Sequence, residues 1–480
     1  MKKTIGIVQI NDTHANLLPH GDLRYTGEGF KVEILGGYPR IMTKIREFRN
    51  KHGDNLLVFD NGDTFHGTYE SIKSKGEIMI PYLNELGINA MTFHWDSAYT
   101  LENLKNLETS LNYPILASNV YYENTKDLMF QPTKILEVNG IKIGVIGVAS
   151  NIIRKNMPKP FWEGAEFTNG VEESKKYSKL LKEEGADLII LLSHLGYPQD
   201  IELLNQVSGI DICLSGHTHN RIKYVEKVKD AYIIQSGALA SSIGYLNLEF
   251  EDKKLLNILH EYIVLDETVK EDSEFLNMLN EDAILSKYKT YLDEEIGESK
   301  IDLHRGSSFY GTMDYLLLDA MRNTTGLDIA FSNGWRYGGA VEKGKITRRD
   351  LYRIVPMDPP IMTAEMTGEE LCQMLEDNLE KTFSTDPFGQ MGGYIKRNSG
   401  LKVYWKLENP KGHRIQKIFV GDEELDLKKN YKVAYVTRQG VPETFGKNHK
   451  EFGVNSIEAM ERLLEKSPYD KKDLNSYIPV

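Results

Sequence analysis

Cysteine is almost missing from this chain. Cys213 and Cys372 are the only two in 480 residues. That excludes a disulfide framework and any metal site built from thiolates. Long hydrophobic runs are missing too, and no segment approaches the roughly 18 uncharged apolar residues of a membrane helix. Behind the basic Met1-Lys2-Lys3-Thr4, the apolar stretch Ile5 to Ile10 is interrupted by Gly6 and Gln9 and gives way to Asp12, so it lacks a signal-sequence core. A soluble, cytoplasmic chain with no membrane partner is the expectation. Positive charge is in deficit: 58 Lys and Arg stand against 70 Asp and Glu, a formal charge of -12. A nucleic-acid polymer needs a basic footprint that releases counterions, so such a partner is not expected. Hydrophobic residues at 40% and charged residues at 27% exclude intrinsic disorder.

What is present is alternation. Strand-like runs are Thr4–Ile10, Asn55–Phe59, Ile115–Ser118, Ile141–Val148, Asp187–Leu192, Ile210–Leu214 and Tyr232–Ser236. Helix-like stretches lie between them at Tyr38–Arg49, Ile78–Leu86, Leu101–Leu111 and Val171–Glu184. This order predicts an α/β layered domain over residues 1–268. The charged stretch Asp272–Glu298 reads as a linker helix, within a boundary region 269–299. A second α/β unit follows over 300–480, with helices at Tyr310–Arg322 and from Thr367, where Thr367-Gly368-Glu369-Glu370 has the capping-box form.

The histidines are placed unevenly. Asn11-Asp12-Thr13-His14, Asp60-Asn61-Gly62-Asp63, Phe93-His94-Trp95-Asp96, Ser193-His194-Leu195-Gly196 and Gly216-His217-Thr218-His219 mostly follow strand-like runs. In open α/β folds such strand ends converge on a ligand crevice. Asp-x-His and His-x-His put pairs of side chains on one side of an extended segment. Imidazole with carboxylate suits Mn, Fe, Zn or Co, and the absence of sulfur disfavours iron–sulfur and copper(I) chemistry. A bridging carboxylate, here Asp63, would hold two ions together, and such a pair generates hydroxide at neutral pH and clamps an in-line displacement at phosphorus. Asp60 is expected to support the site by hydrogen bonding. His20, His52, His260, His304, His413 and His449 lack this context and read as structural or surface residues.

The order of these motifs resembles the calcineurin-like metallophosphoesterases, specifically the two-domain 5′-nucleotidase and UDP-sugar hydrolase family. The resemblance implies a four-layer β-sandwich flanked by helices plus a smaller C-terminal α/β domain. It implies one metal on Asp12, His14, Asp63 and His219, and a second on Asp63, His94, His194 and His217. Manganese is the first choice of metal, with zinc, cobalt or iron as alternatives. The implied activity is hydrolysis of a small phosphate monoester, a 5′-nucleotide or related nucleotide, in nucleotide catabolism. A small-molecule phosphate ester is thus the implied partner.

One block departs from the family. Where Gly-Asn-His-Glu-x-Asp is usual, this chain reads Phe93-His94-Trp95-Asp96-Ser97-Ala98. His94 stands in the Asn ligand position, Trp95 in that of the catalytic His, and Ala98 in that of its Asp partner. An indole N–H does not titrate usefully as an acid. His66, close in sequence to Asp63, is the candidate proton donor instead, to act with Trp95 at the catalytic position. The His-Trp pair is similar to that of the dimanganese thiosulfohydrolases, which makes S-sulfonate hydrolysis the alternative activity; a metal-containing binding protein is a third reading. In the C-terminal part, Phe331-Ser332-Asn333-Gly334-Trp335-Arg336-Tyr337-Gly338 resembles a substrate-anion loop, and Tyr394-Ile395-Lys396-Arg397-Asn398-Ser399-Gly400-Leu401 resembles the nucleoside-clamp segment. Substrate binding is therefore expected from Asn333, Arg336, Tyr394 and Arg397. Lys396, Arg438, Tyr435 and Phe445 are weaker candidates.

Overall fold

The computed structural model describes residues 2–471 and 473–480. They form two compact units, one of residues up to His20 plus Ile34–Ser286, the other of Gly21–Glu33 plus Lys287–Val480.

Five strands of the first unit matter most: β1 (Lys2–Ile10), β2 (Leu56–Asp60), β3 (Ala90–Met91), β4 (Leu188–Ser193) and β5 (Ile212–Ser215). One sheet runs Lys254–Val264, Ser242–Glu251, β1, β2, β3; the other runs Glu226–Val228, Ala231–Ile234, β5, β4, Ile141–Val148, Thr133–Val138. Alternation along β1 explains how they stack. Ile5 and Ile7 join Leu57, Phe59, Ile143, Ile190, Leu192 and Leu214 in the core between the sheets. Val8 and Ile10 belong to a different core, with Tyr38, Ile41 and Ile45 of the helix Tyr38–His52. With the helix Val171–Glu183 on the second sheet, where Leu181 packs close to Gly144, the unit has four layers. This is the α/β sandwich the motif order implied.

The parallel register positions the loops. Ile10 pairs with Asp60, Asp60 with Met91, and Ser193 with Ser215. The C-terminal ends of β1, β2 and β3 therefore line up in one sheet, and those of β4 and β5 in the other.

Three segments differ from expectation. Ile115–Ser118 is not a strand but makes single bridges, Met91 to Ile115 and Leu116 to Gln131. Its backbone is used residue by residue by different neighbours, as Ser118 N–H donates to Gly147. The stretch 272–298 is not one helix. It forms helices Ser273–Glu281 and Ala283–Leu292 and a strand Glu295–Ser299. Asp282 is extended between the helices, and its carboxylate accepts from the N–H groups of Ile284 and Leu285 at 2.8 and 3.0 Å, so it restarts the helix as a cap. Gly21–Glu33, placed by sequence with the first unit, groups with the second, where Phe30 packs edge-on to His304 at 4.5 Å.

In the second unit a five-stranded sheet runs Tyr394–Ser399, Ile329–Gly334, Asn430–Val436, Pro360–Thr367, Lys447–Asn455. Its core gathers Phe331, Val433, Ile395 and the apolar face of the helix Gly368–Phe383. The capping box is formed: Glu370 N–H donates to the Thr367 hydroxyl at 3.2 Å, and Thr367 N–H to the Glu370 carboxylate at 2.8 Å. Thr367→Ala is expected to cost about 1 kcal/mol of stability, read as a lower denaturant midpoint of this unit.

Candidate metal centre

The loops that leave β1, β2, β3, β4 and β5 carry seven His and Asp side chains to one place. Two sets form: Asp12, His14, Asp63 and His219, and Asp63, His94, His194 and His217. Within each set the ligand atoms lie within 4.8 Å of one another, and Asp63 belongs to both. His94 Nδ1 is 3.2 Å and His194 Nε2 3.3 Å from Asp63 Oδ2, while His219 Nε2 is 3.3 Å from Asp12 Oδ1. All seven are buried except His219, which is slightly open.

Reaching this geometry strains the backbone. Asp12, His14, Asp63, His217 and His219 have φ of 51, 48, 57, 72 and 58°. The left-handed region costs an L-residue of order 1–3 kcal/mol, so the surroundings must fix it. They do so by interlocking the loops: Asp12 N–H donates to Gly62 at 2.9 Å and His14 N–H to Asp63 at 2.8 Å. Gly62 is obligatory, because a Cβ there would sit 2.6 Å from the Thr92 carbonyl oxygen.

A second ring of groups aims the first. The carboxylate of buried Asp96 accepts the N–H groups of Asp63, Thr64 and Phe65 at 2.8 Å and of His94 at 3.1 Å. Trp95 N–H donates to Asp63 Oδ1 at 2.7 Å. Asn11 Nδ2 and His217 N–H hold the Asp12 carboxylate at 2.7 and 3.0 Å. His194 Nδ1 faces the Asn61 carbonyl at 2.5 Å and His14 Nδ1 the His66 carbonyl at 3.1 Å. A carbonyl only accepts, so both Nδ1 atoms carry protons and both Nε2 lone pairs point inward. Asp60, Asp96, Asn11 and Asn61 were all visible in the sequence. Only Asp60 was expected in a supporting role, and it takes one, accepting from Gly62 N–H and the Thr64 hydroxyl.

Removing the Asp96 carboxylate strands those four N–H groups. Asp96→Ala is expected to weaken metal binding 10–100-fold, the usual effect of losing an outer support of a ligand. Titration against a competing chelator measures it, and unchanged affinity would refute the role.

The donor set fits two divalent cations. Lone pairs of His194 and Asp63 that meet at 3.3 Å repel unless positive charge lies between them. The protein alone can supply only a proton. Burial pushes the His194 imidazole down, but Asp63 and Asp12 outweigh it and raise its pKa to about 10. His94 Nε2 is buried without a hydrogen-bond partner. The set is all nitrogen and oxygen, as Mn, Zn, Co or Fe would take.

The candidate proton donor, His66, is fully buried. Burial, then the neighbouring His14, lower the His66 pKa to about 3. Its ring stacks on Trp95 with centroids 4.7 Å apart. Trp95 also meets Phe161 edge-on at 5.7 Å.

In the second unit the strands Ile329–Gly334 and Tyr394–Ser399 pair Gly334 with Tyr394 and Ser332 with Arg397. Asn333, Arg336 and Tyr394 therefore lie toward one end of the strand pair, and Arg397 lies midway along it. Arg336 donates to the Gly393 carbonyl at 3.0 Å and lies 5.5 Å from the Tyr394 ring centre. Trp335 is buried, and its indole N–H donates to Gln439 at 3.0 Å. Arg397 faces partners within its own unit. It is 2% exposed, and its guanidinium is spent on Asp314 at 3.0 Å and the carbonyls of Ser308 and Ser307 at 3.0 and 2.8 Å. Lys396 is buried, its Nζ on the carbonyls of Gln439 and Gly440 at 2.6 and 2.8 Å. Tyr435 bonds His449 at 2.7 Å, and Phe445 packs against the core.

A His/Asp cluster on the strand ends of a four-layer sandwich defines a class of enzyme. Residues 5–221 match the calcineurin-like phosphoesterase family, and residues 295–437 match the 5′-nucleotidase C-terminal domain family. The chain thus joins a calcineurin-like phosphoesterase domain to a 5′-nucleotidase C-terminal domain and is a hydrolase of that class. Among curated relatives, the snake venom 5′-nucleotidase of Naja atra is 26% identical, over 89% of this chain and 88% of that protein. The 5′-nucleotidase of Rattus norvegicus is 24% identical, over 89% and 81%. Among solved structures, the sulfate thiohydrolase SoxB of Thermus thermophilus has a TM-score of 0.91 at 22% identity, over 99% of this chain and 96% of that one. A 5′-nucleotidase precursor from Thermus thermophilus has a TM-score of 0.86 at 23% identity, over 100% and 99%. Both structural likenesses speak to the fold. Among the described residues no helix is long and apolar enough to cross a membrane.

Proposed function

We propose that this chain is a dinuclear metal-dependent hydrolase of small phosphate monoesters, 5′-nucleotides or related nucleotides. The observation that carries the reading is the Asp63 carboxylate shared by two buried His/Asp sets. Asp12, His14, Asp63 and His219 would hold one divalent cation, and Asp63, His94, His194 and His217 the other, with manganese the first choice. When bound, such a pair supplies Lewis acidity and lowers the pKa of water. The chain's own residues do the positioning. Trp95 N–H and the Asp96-held loop fix Asp63, and the inward lone pairs of His14 and His194 are set by the His66 and Asn61 carbonyls. Residues 1–268 would carry this centre and residues 300–480 would bind the substrate, with Arg336 neutralising the anion. No titratable side chain stands at position 95, so water or another group would protonate the leaving group. A cytoplasmic workplace with both cysteines free completes the reading.

Hydrolysis of an S-sulfonate is the second reading. The observation in its favour is Trp95 itself, stacked on His66, since a thiolate or sulfide leaving group needs little protonation. One panel separates the two: AMP, a cyclic nucleotide and an S-sulfonated thiol, each with Mn, Co, Zn and Mg in turn. Phosphate release from AMP, with near two metals bound per chain, is the expected result. Sulfate release without phosphate release would replace the first reading with the second.

A further inference from the structure

The two His/Asp sets share a loop as well as a carboxylate. His217 belongs to one set and His219 to the other, with only Thr218 between them. Both histidines lie in the left-handed region, at φ 72 and 58°. A segment strained in that way persists only where its surroundings over-determine it.

One side chain does most of this fixing. Gln235 follows the strand Ala231–Ile234, which pairs with β5, and it is fully buried. Its Nε2 donates to the Ser215 hydroxyl at 2.9 Å and to the Gly216 carbonyl at 2.5 Å. Its Oε1 accepts from the Thr218 hydroxyl at 3.1 Å and from the Asn220 N–H. A carbonyl only accepts and an N–H only donates, so Gly216 and Asn220 fix which way round the amide lies. Both donors and both lone pairs are occupied, and all four partners fall between Ser215 and Asn220. The amide therefore grips the His217-Thr218-His219 segment from both of its ends and at its middle.

The grip is anchored in turn. The Asp200 carboxylate accepts from the Ser215 hydroxyl and from the Ser193 hydroxyl, each at 2.6 Å, which ties in the residue before His194. The Thr218 hydroxyl also accepts from Tyr197 N–H at 3.0 Å, and Gln9 Nε2 donates to the Ser215 carbonyl at 2.9 Å. Gln9, Ser193, Asp200, Ser215 and Gln235 are all 0% exposed. A buried polar network with every member satisfied makes rigid what it holds.

We propose that Gln235 is a positioning residue of the metal centre. Among the described residues it hydrogen-bonds to none of the seven His and Asp side chains, yet it sets His217 and His219 relative to each other and so acts on both sets at once. Asp63 joins the sets by charge; Gln235 joins them by geometry. The inference rests on the reading of the two sets as a metal pair.

Manganese(II) is titrated into the metal-free full chain in competition with a chelator and followed by electron paramagnetic resonance. The parent should bind two ions whose spins couple. Gln235→Met, close in length but without N–H donors, should weaken both ions at least tenfold, the scale on which a lost outer support acts, and should alter the coupled signal. Thr218→Val keeps the shape of its side chain and removes one of the four bonds. It should shift both affinities the same way by a smaller factor, and it carries the test if Gln235→Met does not fold. Ile233→Ala, at a buried position on the same strand, reports what loss of stability alone does, and should leave both affinities and the signal as in the parent. Parent-like affinity in Gln235→Met, a loss confined to one ion, or an equal loss in Ile233→Ala overturns the positioning role and leaves the metal pair standing. A parent that binds fewer than two ions overturns the metal pair, and this inference with it.

Discussion

Asp63→Asn is expected to empty both halves of the metal centre at once. Among the described residues no other side chain belongs to both His/Asp sets. The variant keeps the size of the side chain and its loop, but removes the charge that faces His94 and His194 at 3.2 and 3.3 Å. A bound pair contributes several kcal/mol of transition-state stabilisation, and each 1.36 kcal/mol is tenfold in rate. The expected loss of turnover is about 1000-fold or more on those terms. Metal content measured by mass spectrometry should fall from near two per chain to well below one. His219→Ala should instead spare the second set and leave close to one metal. A variant at Asp63 that retained two metals and turnover within tenfold of the parent would refute the bridging role.

Asp314→Asn carries the largest expected effect on stability. Asp314 is 1% exposed and lies between two buried guanidiniums, with Arg305 Nε at 2.9 Å and Arg397 Nε at 3.0 Å. Taking one partner from a buried ion pair leaves charge uncompensated and costs about 3–5 kcal/mol. Here two cations are left facing each other. The consequence reaches the loop that bears Arg336, proposed above to bind substrate, because Arg305 also donates to the Tyr337 carbonyl at 2.7 Å and the Ile354 carbonyl at 2.6 Å. Denaturant unfolding should show the transition of the second unit moved to a much lower midpoint while that of the first unit stays in place. KM should rise more than kcat falls, since the loop bearing Arg336 loses its anchor. A shift below about 1 kcal/mol, the range of an exposed pair, would show that the carboxylate is dispensable.

These two residues mark what could be read without coordinates. Asp63 stood out because it closes a strand-like run, follows a glycine and shares a pattern with four other His/Asp segments. Asp314 did not, because a single Asp on an amphipathic helix looks the same whether it meets solvent or two arginines. The surroundings of Arg397 were hidden for the same reason. Its sequence context resembles a ligand-binding segment, while its partners at Asp314, Ser307 and Ser308 lie more than eighty residues away. His66 was close in sequence to the centre, yet enclosure left its ring neutral and stacked on Trp95.

By itself the sequence determined the local order: the alternation of strands and helices, the capped helix at Thr367, and the histidines and aspartates placed after strands. Those features depend on period, turn chemistry and residue type, all of which are local. Only the tertiary structure revealed that Asp96 supports the loop of the shared Asp63. It also decided that Arg397 is consumed by the core, and that Gly21–Glu33 groups with the second unit. The physical reason is the same throughout. Burial, charge pairing and hydrogen-bond satisfaction are set by neighbours in space, and a chain declares its own residue types long before it declares whom they will meet.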